Sequence, residues 1–263
     1  MTLIAKLLTA ALFACLSLAA YGEKLRIVTE PWAPYVYEED GVMRGLDYET
    51  TAIVFQRLGV EVQWQFLPWK RCLAMLEQGN ADGALDIFHS HDRDALLLYP
   101  SEPLSDVEFA LFYANERPHP AKHLNDLRGL TVGTSPGYLY GDDFSTSTLF
   151  KREPAPSHEA NFGKLMLGRI DLVITDRRVG QHVIKALGLE GRVSQAPVMV
   201  SRQQQFLAVR RGAGMDLLVR RFAAELKRFK QEPAYAVLSA KYGGIQAITA
   251  SGHTVEQQES SAP

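Results

Sequence analysis

The chain has 263 residues, of which 46% are hydrophobic and 22% charged, with 28 basic and 30 acidic side chains and a formal net charge of −2. This composition excludes the disordered and fibrous classes and allows one large domain or two smaller lobes. It gives no electrostatic reason to expect nucleic acid or an anionic membrane as a partner; the densest basic run, Arg220, Arg221, Lys227, Arg228 and Lys230, has the spacing of a solvated helix face.

Residues 1–22 read as an export signal. Lys6 precedes an apolar run over 7–20, and Ala20 and Gly22 occupy the small-residue positions of a cleavage site before Glu23. The run is too short for a comfortable membrane span. A lipoprotein signal ending at Cys15 is the rival, disfavoured by the bulk of Phe13 and by the apolar residues beyond the cysteine. Removal of the signal leaves Cys72 as the sole cysteine, so the exported chain needs a hydrophobic core rather than a disulfide. Cys72 itself sits in an apolar helical stripe with Leu73 and Leu76 and reads as an inert core thiol.

Strands and helices then alternate. "LRIVT" (25–29) is a short apolar strand, followed by the aromatic, proline-rich loop "PWAPYVYEEDG". "GLDYETTAIVFQRLG" reads as a helix with Asp47 as N-cap and Gly59 as stop. "VEVQWQFL" alternates with period two, as a half-buried strand does. "PWKRCLAMLEQG" is a helix with Pro68 near its first turn, and "ADGALDIF" the next strand. A second unit begins after "EFALFYANE": a strand over 130–133, a helix ending at Gly168, a strand over 172–175 and a helix over 178–187. A strand in "QFLAVRRG" precedes helices over 215–230 and 234–242. The tail 245–263 is small and polar and is expected to be disordered. This alternation implies an α/β fold with right-handed crossovers. A partial echo between "QGNADGALD" and "LGRIDLVITD" suggests two similar lobes.

The order of motifs resembles the bacterial extracellular solute-binding proteins of the polar amino-acid type, receptors of ABC importers with the type II periplasmic binding fold. "PYVY" before "GLDYE", the helix with "LEQGNAD", Arg93 after a short polar turn, "PSEPL", "LRGLTVG", "GRIDLVITD", "FLAVRRG" and "AKYG" follow one another in the family's order over residues 25–243. The resemblance implies two α/β lobes, each a mixed sheet flanked by helices and joined by two crossover strands. Lobe one would take residues 23–109 and 206–244, and lobe two 114–202. It also implies a periplasmic monomer that closes on a small solute and passes it to an ABC permease of the inner membrane, with no enzymatic step, cofactor or nucleic acid.

The same resemblance assigns roles. Arg93 would clamp a ligand carboxylate, chemistry that a planar two-donor guanidinium suits. Ser90 would assist with its hydroxyl. Asp176 would pair with the ligand ammonium; it also reads as the N-cap of the following helix, and the two roles are compatible. "TSPGY" (134–138), with Gly137 and Tyr138, would contribute backbone N–H groups at a helix start. Trp32 and Trp69, with Tyr35, would stack on the ligand side chain. Phe88 stands where the family often has threonine, removing a hydroxyl and adding an apolar wall. Asp86 reads either as a strand-end ion pair or as a group aimed into the cleft that favours a cationic ligand.

"DIFHSHDR" (86–93) also contains an H-x-H pair. On a strand His89 and His91 would share a side, but zinc needs further ligands, and no Cys/His spacing supplies them. The pair is therefore expected to flank a turn in solvent and to contact Asp92 or Asp94, with no metal. Two other functions fit the same fold. One is a periplasmic dehydratase of the cyclohexadienyl type using the acid at 176, although Arg177 and Arg178 would oppose the raised carboxyl pKa that role needs. The other is an orphan sensor presenting its ligand state to a separate membrane partner.

Overall fold

The computed structural model describes residues 24–242 except 213; the expected signal segment (1–22) and tail (245–263) lie outside the described residues. The elements in chain order are β1 (Leu25–Thr29), the hairpin β2 (Tyr37–Glu39) and β3 (Val42–Arg44), α1 (Leu46–Leu58), β4 (Val62–Phe66), α2 (Trp69–Gln78), β5 (Gly83–Phe88), β6 (Leu97–Leu98) and β7 (Ser105–Ala114). They continue with β8 (Thr131–Thr134), α3 (Asp142–Thr146), β9 (Lys151–Pro154), α4 (His158–Met166), β10 (Leu172–Asp176), α5 (Arg177–Ala186), β11 (Val193–Arg210), α6 (Met215–Phe229) and α7 (Pro233–Lys241).

Nine strands form one mixed sheet in the order β4-β1-β5-β11-β7-β10-β8-β9, with β6 also on β11. β1 runs parallel to β4 and β5 on one side, and β8 parallel to β9 and β10 on the other. Between them β7 and β11 lie antiparallel and join the two halves. The parallel strands of each half therefore end towards the junction, where open α/β sheets place their ligands.

Several local expectations change. Gly45, not Asp47, caps α1. Gly45 has φ 118°, and a Cβ there would lie 2.2 Å from the Tyr35 carbonyl oxygen, so only glycine fits. Asp47 falls inside the first turn and is buried. β11 spans 18 residues where the sequence pattern gave only its last part. Its first two-thirds, with "SRQQQ", follow neither period because the strand crosses from one environment to the other.

The core forms on both faces of this sheet. Phe55 of α1 meets Phe222 of α6 with ring centroids 5.2 Å apart, and Phe112 of β7 meets Phe162 of α4 at 5.8 Å. Gly180 lets α5 approach the sheet; a Cβ there would come within 2.3 Å of the Phe112 ring.

Candidate functional site

A cavity lies between the two halves, with about 380 Å3 of empty space when the open solvent at its mouth is counted. Thr29, Glu30, Trp32, Trp69, Leu85, Asp86, Phe88 and Arg93 line it from one half, and Gly137, Tyr138 and Leu139 from the other. Trp32, Trp69, Phe88, Arg93, Gly137 and Tyr138 are thus brought together. Ser90, Tyr35 and Asp176 are not among the lining residues.

The apolar wall is a cluster of rings. Trp32 packs edge-on to Phe88 and to Tyr138, with centroids 6.1 Å apart in both pairs, and Phe88 rests on Phe109 at 5.6 Å. Phe88 lines the cavity with its ring. Gly137 faces Trp69: a Cβ at Gly137 would stand 3.4 Å from that ring.

Two ionisable side chains also line the cavity, one basic and one acidic. Arg93 closes the 3-10 turn His91–Arg93. Its Nη1 donates to the Phe88 carbonyl at 3.4 Å, and among the described residues it has no carboxylate partner. Asp86 is the second. Between Phe206 and Ala208 the β5–β11 register slips, so that Leu85 and Asp86 oppose Leu207 alone. This is a β-bulge, a device that re-aims a side chain. Asp86 takes φ 59° within it, which costs a non-glycine residue ~1–3 kcal/mol.

Asp86 is 8% exposed, and its carboxyl shares a hydrogen bond with the buried carboxyl of Asp47. Burial first, and then the charge of Asp47, hold its carboxyl well above the usual range. Asp47 is pushed up to about 6 by its own burial, against the opposing hydrogen bond that Ser105 Oγ donates to its Oδ2 at 2.6 Å. Trp32 Nε1 is a buried donor with no partner. An unpartnered buried donor beside the cavity is a group that a ligand would complete.

Glu30, just past β1, was not anticipated from sequence. Its Oε2 accepts from the Tyr138 hydroxyl at 2.7 Å, and its Oε1 from the Trp69 backbone N–H at 3.3 Å. Burial raises its pKa in spite of those bonds. Tyr138 Oη also lies 3.5 Å from His158 Nε2, whose Nδ1 is 3.3 Å from Thr175 Oγ1. Burial depresses His158 to about 4, so the ring is neutral. The Glu30–Tyr138 bond spans the two halves. The one signal that could have flagged Glu30 is its position at the carboxyl end of a parallel strand.

Asp176 is fully buried and engaged. Its Oδ1 accepts from Arg178 N at 2.9 Å, Val179 N at 3.1 Å and Tyr35 Oη at 3.2 Å, and its Oδ2 from Glu108 N at 3.0 Å. It caps α5, as one of the two readings of the sequence had it. Burial raises its pKa, outweighing those hydrogen bonds and the nearby Arg178 charge, which opposes the rise in the sense that the sequence suggests. Tyr35 also receives a bond from Arg178 Nη1 at 3.2 Å, so Tyr35, Asp176 and Arg178 form a second polar contact between the halves. Ser90 holds the Arg93 turn through its backbone, its carbonyl accepting from Arg93 N at 2.9 Å.

The histidines of "DIFHSHDR" and the free cysteine are placed as well. His89 Nε2 lies 2.9 Å from Asp94 Oδ1, and His91 Nδ1 3.2 Å from Asp94 Oδ2. Cys72 is a buried free thiol raised to about 12 by burial, with Glu30's charge adding to the effect. No helix among the described residues is long and apolar enough to cross a membrane.

Three comparisons bear on this architecture. The probable amino-acid-binding protein YxeM of Bacillus subtilis is 22% identical over 212 residues, covering 80% of this chain and 79% of that protein. A histidine kinase sensor domain with similarity to periplasmic binding proteins superposes with a TM-score of 0.76 at 21% identity, over 86% of this chain and 98% of that one. A mutant of ArgBP from T. maritima does so with a TM-score of 0.74 at 20% identity, over 87% and 98%. The fold is therefore that of the periplasmic binding proteins. The family description "Bacterial extracellular solute-binding proteins, family 3" matches residues 25–245, and the chain belongs to that family.

Proposed function

We propose that this protein captures an amino acid or a related aminated zwitterion in the cavity between its halves, with the ligand carboxylate on Arg93 and its cationic group on Asp86. One observation carries the reading: a guanidinium with no carboxylate partner among the described residues and the buried Asp86, whose carboxyl is shared with the acid Asp47, line the same aromatic-walled space. A ligand carboxylate pairs with the guanidinium, and a ligand cation offsets the charge that Asp86 acquires on losing its proton. Asp86 then takes the role that the family pattern assigns to Asp176, whose oxygens are already committed to α5, Glu108 and Tyr35. Trp32, Trp69, Phe88 and Tyr138 pack on the ligand side chain, Gly137 admits it, and Tyr35 and Ser90 support the site from behind. The names of YxeM and ArgBP are consistent with an amino-acid ligand.

In this reading residues 23–109 with 206–244 form one lobe and 114–202 the other. β7 and β11 serve as the hinge, and the Glu30–Tyr138 and Tyr35–Asp176 bonds form on closure. Residues 1–22 direct export to the periplasm, where the monomer delivers its ligand to an ABC-type permease without altering it. A thermal-shift screen against amino acids, amines and small carboxylates tests the assignment, since a ligand of the folded state raises apparent stability by mass action. Shifts confined to molecules with both charges support it. Shifts with simple carboxylates alone, or chemical turnover of the bound molecule seen by mass spectrometry, would count against it.

A further inference from the structure

The H-x-H pair acquires a third ligand in three dimensions. One ring nitrogen of His89, one of His91 and a carboxylate oxygen of Asp94 all lie within 4.8 Å of one another. The Asp94 carboxylate stands between the imidazoles, with Oδ1 2.9 Å from His89 Nε2 and Oδ2 3.2 Å from His91 Nδ1. In a tetrahedral zinc site with bonds of ~2.0–2.1 Å, neighbouring ligand atoms are roughly 3.4 Å apart. Each imidazole is thus already about that far from one Asp94 oxygen, and the three ligand atoms lie within 4.8 Å of one another before any ion draws them together. A search for cysteine and histidine spacing misses the arrangement because its third member is an aspartate beyond the 3-10 turn.

The scaffold under these ligands is held independently of any ion. Asp94 N donates to the His91 carbonyl at 3.1 Å, and Arg211 Nε donates to the Asp94 carbonyl at 2.8 Å. The His89 ring packs edge-on to Tyr99 at 4.8 Å, and Tyr99 in turn against Phe206 at 5.9 Å. The His91 side chain is 94% exposed, and those of His89 and Asp94 are 42% and 43% exposed. An ion can therefore reach the site without rearrangement of the core, and water can complete its coordination.

We propose that His89, His91 and Asp94 form a surface site for a borderline divalent metal ion, Zn2+ before Mg2+ or Ca2+, on the turn that carries Arg93. Two imidazoles and one carboxylate favour zinc over the hard, oxygen-seeking ions. The ion ties the residues on either side of Arg93 together, fixing the turn from which that guanidinium reaches the cavity. The metal assignment stands whether or not the cavity binds an amino acid.

The test is equilibrium dialysis of the tag-free chain, stripped with a chelator and returned to Zn2+ in the presence of excess Mg2+. One Zn2+ per chain is expected for the wild type. His91→Ala and Asp94→Ala should each raise the dissociation constant ~tenfold or more, and His89→Gln should do the same. His123→Ala, at a histidine outside the site, should bind Zn2+ as the wild type does. The metal-free melting temperature of His91→Ala should match the wild type, because the removed ring is solvent-exposed. The proposal is overturned if the wild type takes up no Zn2+ saturably, if Mg2+ displaces it, or if His91→Ala retains the same affinity and stoichiometry.

Discussion

Replacing Asp86 with asparagine should move ligand affinity and stability in opposite directions. Asparagine has the same shape and tolerates the positive φ of the bulge, so the backbone is preserved while the charge is lost. Removing one partner of a buried charged pair costs ~2–5 kcal/mol of binding, which corresponds to a dissociation constant raised roughly 30-fold to several thousand-fold. Stability of the free protein should rise. A carboxyl whose folded pKa lies above its unfolded value is destabilising at neutral pH, because the folded state holds a proton that the unfolded state has released. For the neighbouring Asp47, the rise from 3.8 to about 6 corresponds to ~3 kcal/mol at about 1.36 kcal/mol per unit. Asp86 is displaced in the same direction by the same burial, so the variant should melt above the wild type at neutral pH. The gain should shrink as pH falls towards 4, where both states are protonated. Calorimetric titration with basic amino acids and thermal melts at several pH values read both effects. An Asp86→Asn protein that melts lower at pH 7.5 and binds as tightly as the wild type would refute the reasoning.

Other substitutions separate the remaining roles. Arg93→Ala should abolish measurable binding, while Arg93→Lys, which keeps the charge without the fork, should weaken it at least ~tenfold; both should melt within a few degrees of the wild type. Asp176→Ala should cost ~2–4 kcal/mol of stability by removing a helix cap and orphaning the Glu108 N–H and the Tyr35 hydroxyl, seen as a lower denaturation midpoint with a smaller effect on affinity than Asp86→Asn. Wild-type affinity for a cationic ligand should increase with pH through the range in which Asp86 loses its proton, with proton release detectable by titration in buffers of different ionisation enthalpy. Cys72 should resist alkylation in the native protein at pH 8 and react on unfolding, because its thiol is held near 12.

The architecture was legible because it rests on local signals. Gly59 and Gly79 end their helices in the left-handed conformation, and the "GRIDLVITD" turn and strand fall where the pattern put them. Arg93, Phe88, Trp32 and Trp69 could be singled out because a sequence motif fixes their place beside the cleft. What escaped depends on three-dimensional register. The bulge that turns Asp86 into the cavity exists only in the pairing of β5 with β11. Glu30 is defined by Tyr138, 108 positions away. The length of β11 was hidden because its flanking environments change along it, and Asp47 resembled a cap although Gly45 alone fits against the Tyr35 carbonyl.

The most direct measurement of charge pairing in the cavity is calorimetric titration with a matched series: the best amino-acid ligand from the thermal screen, its methyl ester, its N-acetyl derivative and its decarboxylated amine. Tight binding of the parent, with at least ~tenfold weakening each time either the carboxylate or the ammonium is masked, is the expected result. Loss of discrimination against the ester in Arg93→Ala, and against the N-acetyl form in Asp86→Asn, should accompany it. Equal affinity across the series, or a parent affinity that survives both substitutions, would contradict the assignment of Arg93 and Asp86.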